Sequence, residues 1–215
     1  MTKYNLIKSN YFILIVLLFL IQVFLNNTFL NTNDLVINFF SEQVAEEQLK
    51  NLIEGQTKWS WVGYAITPII ILLRTSLVAL CLSIGLFFYD IEKKIKFKQL
   101  FRVALIGEFI LVLIGLFKFS YFYFIKTEYT LQDIQQFHPF SFTNFLTIEN
   151  LEPWLLYPLQ TINLFEIGYF FVLVYGLNKL LRNKYWKSFE MVAVGYGTGL
   201  VIWIGLVMFL TLNLT

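Results

Sequence analysis

The sequence predicts an all-α integral membrane protein, a helical bundle of about five spans with its N-terminus inside and its C-terminus outside. Three observations carry this. First, 58% of the 215 residues are hydrophobic and 14% charged, with a mean hydropathy of +0.67, too little polar surface to cover a soluble globule of this size. Second, five apolar runs recur, each with roughly the 20 residues a helix needs to cross a hydrocarbon core of about 30 Å. Third, Lys and Arg concentrate in alternate connections. The 24 Phe, 12 Tyr and 5 Trp suit helices that pass through two interfacial zones, and they also fit the drift of an AT-rich bacterial genome.

The first run, residues 11–25, follows Lys3 and Lys8 and continues to Asn26 and Asn27 without a small-residue cleavage pattern. It is expected to be an uncleaved signal anchor. The second span covers residues 59–89 and contains Pro68, where it can tilt or kink. The third covers 101–125, the fourth 154–178 and the fifth 191–212. All belong to a single membrane domain, 1–215, because no Gly/Ser linker, low-complexity stretch or internal repeat divides the chain.

Charge sets the orientation. Lys3 and Lys8, then Lys93, Lys94, Lys96, Lys98 and Arg102, then Lys179, Arg182, Lys184 and Lys187 fall on one side. Only Lys50, Lys58, Lys118 and Lys126 fall on the other, where Asp34, Glu42, Glu46, Glu47, Glu54, Glu128, Asp133, Glu149 and Glu152 collect. Eleven cations against four place the first side in the cytoplasm. In the first outside loop Val36, Phe39, Phe40, Val44, Leu49, Leu52 and Ile53 recur at helical spacing, which predicts an amphipathic helix on the outer membrane surface or against the bundle. In the second, His138, Pro139 and Pro153 punctuate a Phe-rich segment expected to dip toward the headgroups.

Three ionisable residues fall inside the spans: Arg74, Glu108 and Glu166. Such groups are costly in hydrocarbon and face a partner or water, so they are the first candidates for function. At about 1.5 Å per residue, Arg74 and Glu166 lie about 22 Å and about 18 Å above the inner ends of their spans, similar enough to pair, with Glu108 only about 9 Å in. Two readings stay open: a structural ion pair, or an ion or substrate path in which a carboxylate couples to a proton.

Residues 194–199 carry the letters of a potassium-channel filter, but they lie in a continuous apolar segment and not in a re-entrant loop. Gly195 and Gly199 are instead expected to form a small-xxx-small face for close helix packing. Cys81, Arg74 and His138 are the residue types of a membrane transpeptidase of the exosortase kind, yet the predicted topology puts Cys81 in the inner half of its helix and His138 outside. No zinc, P-loop or hydrolase motif occurs, so the sequence names no cofactor, no metal and no reaction.

The stretch Asn163-Leu164-Phe165-Glu166-Ile167, followed by Val172-Leu173-Val174-Tyr175-Gly176-Leu177, a short basic turn and a Gly-containing last span, resembles the closing helices of bacterial Yip-like membrane proteins. Lys98-Gln99-Leu100-Phe101-Arg102-Val103 is similar to the entry into the third span of that family. The resemblance covers about the last half of the chain and implies a five-helix scaffold without catalytic residues. In size, span number and composition the chain also resembles the multi-pass accessory proteins of type VI-B CRISPR systems, which implies a membrane-bound modulator of an RNA-guided nuclease. The expectation is therefore a multi-pass scaffold or regulatory accessory protein of the bacterial inner membrane. Its partners would be the lipid bilayer, a protein or RNA at the cytoplasmic basic turns, and a second copy of itself. The rival is a small channel or transporter subunit using Arg74, Glu166 and Glu108.

Overall fold

The computed structural model describes residues 11–41, 44, 46–91, 95–146 and 151–214. Lys3, Lys8, Glu42, Lys93, Lys94 and Glu149 therefore lie outside the described residues. In chain order the helices are α1 (Tyr11–Phe29), α2 (Thr32–Ser41), α3 (Glu46–Phe88), α4 (Phe97–Phe124), α5 (Leu131–Gln136), α6 (Pro153–Thr161), α7 (Leu164–Leu181), α8 (Tyr185–Val192) and α9 (Thr198–Leu214). A 3-10 turn occupies Phe142–Phe145, and one π-turn, Ala193–Gly197, joins α8 to α9. Among the described residues there is no strand, only an isolated bridge between Ser141 and Asn163.

Five helical stretches are long and apolar enough to cross a membrane: Tyr11–Phe29, Trp61–Phe88, Phe97–Phe124, Leu164–Leu181 and Tyr185–Leu214. Their outward faces carry large apolar side chains such as Phe87, Trp186, Val201 and Phe209, as lipid contact requires. In the most apolar 18-residue window of each stretch the buried share is 44% for Phe97–Phe124 against 6% for Tyr11–Phe29, so α4 is far more enclosed by protein than α1.

The first span runs on to Phe29 and the second covers Trp61–Phe88, and four further boundaries differ from the sequence expectation. The fourth span does not start at residue 154: α6 ends at Thr161, Ile162 and Asn163 are non-helical, and α7 starts afresh at Leu164. Asn163 explains the break, since its side-chain oxygen accepts from the Glu166 N–H at 2.8 Å while its amide donates to the Gln160 and Thr161 carbonyls. The third span begins at Phe97 and not 101, with the Gln99 side chain accepting from the Lys96 N–H at 2.9 Å just before it. The fifth extends to Tyr185–Leu214 through its π-turn. In the first loop, the stretch read as one amphipathic helix divides into α2 and the first turns of α3, with a bend at Val44 between them. At 43 residues, or about 64 Å, α3 is far longer than one membrane crossing and runs unbroken through Pro68.

The chain forms two compact units, residues 1–72 with 115–137 and residues 73–114 with 138–215. The first is held largely by aromatic contacts. Phe29 meets Phe119 and Tyr123 edge-on at 6.3 and 5.8 Å, and Phe137 stacks on Tyr121 at 4.2 Å. The Gln22 side chain fills the space that a Cβ on Gly115 would take. Asn27 donates to the Tyr64 hydroxyl at 3.4 Å, and Tyr129 donates to the Leu30 carbonyl at 3.3 Å. α5 opens on a capping box, Thr130 and Asp133, and Lys126 bonds Asp133 at 2.6 Å. The Lys126 hydrogen bond holds the Asp133 carboxyl below the usual carboxylate range, and burial pushes the Tyr129 hydroxyl up.

The second unit is built on close helix approach. Leu82, Ala104, Leu173, Val174, Leu177 and Met191 are wholly buried at its centre. α7 ends where Arg182 turns left-handed at φ 56°, and the tight turn is then fastened by Asn178 and Ser188, both donating to Asn183 at 2.7 Å. Opposite, the 138–146 segment is pinned by reciprocal backbone bonds of 3.2 Å, Phe142 N–H to Ile162 and Leu164 N–H to Phe140. α6 is fastened to α9 by Trp203, whose indole N–H donates to the Tyr157 hydroxyl at 2.7 Å.

Candidate functional site

Arg74, Glu108 and Glu166 converge in the second unit. Arg74 on α3 forks onto Glu108 on α4: its Nε donates to Oε1 at 3.2 Å and its Nη2 to Oε2. Glu108 is completely buried, and the Arg74 side chain keeps 40% of its surface exposed, so the cation sits at the edge and the anion inside. The buried Thr75 hydroxyl adds a further hydrogen bond to Glu108. A bidentate guanidinium–carboxylate pair is the strongest arrangement these two groups have.

This is not the pairing expected from depth alone. Because α4 starts four residues earlier than the sequence suggested, Glu108 lies about 16 Å along its helix. Arg74 lies about 21 Å from the facing end of α3, a gap its long side chain bridges. Glu166 takes a different partner: Tyr196 donates its hydroxyl to Glu166 Oε1. Glu166 stands in the first turn of α7, where the helix dipole favours an anion, and it still feels the charge of Arg74.

Two tyrosines complete the cluster, and neither stood out in the sequence. Tyr169 and Tyr196 pack with ring centroids 5.4 Å apart. Tyr169 is 1% exposed, and its hydroxyl makes no hydrogen bond among the described residues although it lies in the electrostatic field of Glu108, Arg74, Glu166 and Cys81. Its ring fits because Gly107 faces it: a Cβ there would stand 2.6 Å from a ring carbon. The available signal was position, since Tyr169 is one helical turn after Glu166 on α7 and Thr75 is next to Arg74.

The glycines set how near α3 comes to the last helix. A Cβ on Gly195 would strike the Cys81 carbonyl and stand 3.0 Å from the Gly85 nitrogen. One on Gly85 would strike the Met191 carbonyl, and one on Gly199 would lie 2.6 Å from the Cys81 sulfur. Gly195 thus lies against the α3 backbone and Gly199 against the Cys81 side chain, with Gly85 as a member of the seam that sequence reading missed. Cys81 is consequently turned toward α9, while Arg74 is engaged by α4.

The described members of the basic set, Lys96, Lys98, Arg102, Lys179, Arg182, Lys184 and Lys187, gather at one end of the second unit. The contact that fixes this is Val103 at the start of α4, whose methyl group lies 2.7 Å from the position of a Cβ on Gly176 near the end of α7. Lys179 also lies over the Tyr175 ring, 5.0 Å from its centroid. Among the described residues no three His, Cys, Asp or Glu side chains come together as a metal site. No protein-family model, curated protein or solved structure matches the chain.

Proposed function

We propose that the chain is a non-enzymatic multi-pass scaffold or regulatory accessory protein of the bacterial inner membrane, with its N-terminus and basic turns in the cytoplasm. The observation that carries this reading is the forked closure of Arg74 on Glu108, with Thr75 as a third partner: both carboxylate oxygens are engaged by the chain's own side chains. A path for ions keeps such groups available to its cargo, whereas a scaffold uses them to fix which helix lies beside which. The excess of cations in alternate connections supports the orientation. The basic end of the second unit is the surface offered to anionic lipid and to an acidic partner, and the overall-plan resemblance adds an RNA-guided nuclease as that partner.

The test is to exchange the pair. Arg74→Glu with Glu108→Arg should preserve insertion and assembly, since an ion pair reforms, while either single reversal should lose both. Orientation is checked by cysteines in a Cys81→Ser background. Those at Glu47 and Asp133 should react with an impermeant reagent on intact spheroplasts, and those at Lys98 and Lys184 only after lysis. Labelling of Lys98 from outside would overturn the orientation.

The second reading, a small channel or transporter subunit, is favoured by the buried Tyr169 hydroxyl, which makes no hydrogen bond among the described residues and lies in the field of Glu108 first and also of Arg74 and Glu166. Flux in proteoliposomes that disappears with Glu166→Gln would replace the scaffold reading with this one.

A further inference from the structure

The cluster in the second unit does not balance its charge. It holds two carboxyl groups, Glu108 and Glu166, and one guanidinium, Arg74. With every group ionised, one net negative charge is left, on the half-buried Glu166, offset only by the α7 helix terminus and the Tyr196 hydroxyl. One further positive charge restores neutrality. Both Glu108 oxygens are already occupied by Arg74, so the surplus belongs to Glu166. What faces Glu166 is the Tyr196 hydroxyl from the last helix, Tyr169 one turn along α7, Arg74 on α3 and Glu108 on α4. A hard metal ion such as calcium or magnesium would need about six or more oxygen ligands. Here it would meet one uncommitted carboxylate and the repulsion of a guanidinium, whereas a proton needs one oxygen.

We propose that Glu166 is an intramembrane proton-binding site, with Tyr196 and Tyr169 as its hydroxyl partners and Arg74 as a counter-ion shared with Glu108. In the loaded state a proton from water forms an O–H bond on a Glu166 carboxyl oxygen, Tyr196 keeps donating to the carboxyl, and Arg74 stays forked on Glu108. On release the proton returns to water, Glu166 becomes an anion, and Arg74 is drawn between two carboxylates that compete for it. The hydroxyl of Tyr169, without a hydrogen bond among the described residues and one turn from Glu166, is the group positioned to take up the new hydrogen bond. Because the guanidinium is shared between α4 and α7, occupancy by one proton changes which helix α3 is tied to. This site is independent of whether the chain serves as a scaffold or as a transporter.

Infrared difference spectroscopy of the full chain in lipid nanodiscs, with pH stepped in sodium-free buffer, tests it. The parent should show one protonated-carboxyl band at neutral pH, since surface acids are ionised there. Glu166→Gln should abolish the band. Glu108→Gln should abolish it too, because Arg74 is released to Glu166, whereas Arg74→Gln should give two bands, as both carboxyls then hold protons. Tyr169→Phe should keep the band and move its titration midpoint, which preserves a readout if a charge variant folds poorly. A folded parent without the band, a band that survives Glu166→Gln, or a single band in Arg74→Gln would overturn the proposal. So would a band that vanishes when sodium replaces choline at constant pH, which would make the ligand a metal ion.

Discussion

The two units are held by different forces. In the first, aromatic rings carry the packing: Phe29, Phe119, Tyr121, Tyr123 and Phe137 meet edge-on or stacked, and its ion pair, Lys126 with Asp133, is a third exposed on both sides. In the second, an ion pair is fully buried on its acidic side and backbones approach through glycines. The contrast teaches that a buried charge specifies its helix neighbours more sharply than ring packing does, because an unsatisfied polar group is expensive in an apolar interior whereas one aromatic contact can replace another.

The largest expected effect is at Glu108. Glu108→Ala removes the wholly buried partner of Arg74, leaving the part-exposed guanidinium to turn to Glu166, and should lower stability by about 3 kcal/mol, the low end for breaking a buried pair. Unfolding in detergent monitored by circular dichroism measures this, and Glu108→Gln should recover part of the loss by keeping a hydrogen bond. An effect no larger than that of Lys126→Ala would erase the distinction between the units.

Next comes the glycine seam. Gly195→Ala sets a methyl group against the Cys81 carbonyl and should cost about 1–3 kcal/mol. Gly197→Ala, whose Cβ would meet nothing within 4 Å, should cost nothing measurable in the same assay. Equal effects at the two positions would mean that the seam does not discriminate.

In the first unit, Thr130→Ala removes the α5 cap and should cost about 1 kcal/mol, visible as faster amide exchange at Asp133. The smallest effect is Lys126→Ala, under about 1 kcal/mol and reduced by salt, because the pair is partly exposed. Its pH dependence has a definite sign. The folded Asp133 carboxyl titrates below its ordinary value, so its contribution is present above that value and is lost as pH falls through the folded one. Acid titration of parent and Lys126→Ala should therefore converge at the acid end. Divergence there would assign the effect to another group.

How much of this was legible beforehand follows from what each feature depends on. Five apolar runs, with Arg74, Glu108 and Glu166 among them, are properties of single helices, so their residue types and spacing disclose them. The first-loop pattern was helical, but spacing could not disclose the bend at Val44 that divides it. Asn163 could be read as an N-cap, yet the preceding apolar residues masked it, since hydropathy does not register a two-residue interruption.

Sequence by itself determined that the chain is helical, that five segments can cross a membrane, and that Arg74, Glu108 and Glu166 fall within them. Only tertiary structure decided that Arg74 forks onto Glu108, that Glu166 accepts from Tyr196, and that Gly85 meets Gly195. Hydropathy sums over one helix and fixes what that helix can dissolve in. Partner choice depends on the register between helices, where a start four residues earlier moves a carboxylate about 6 Å along its axis and changes which cation it can reach.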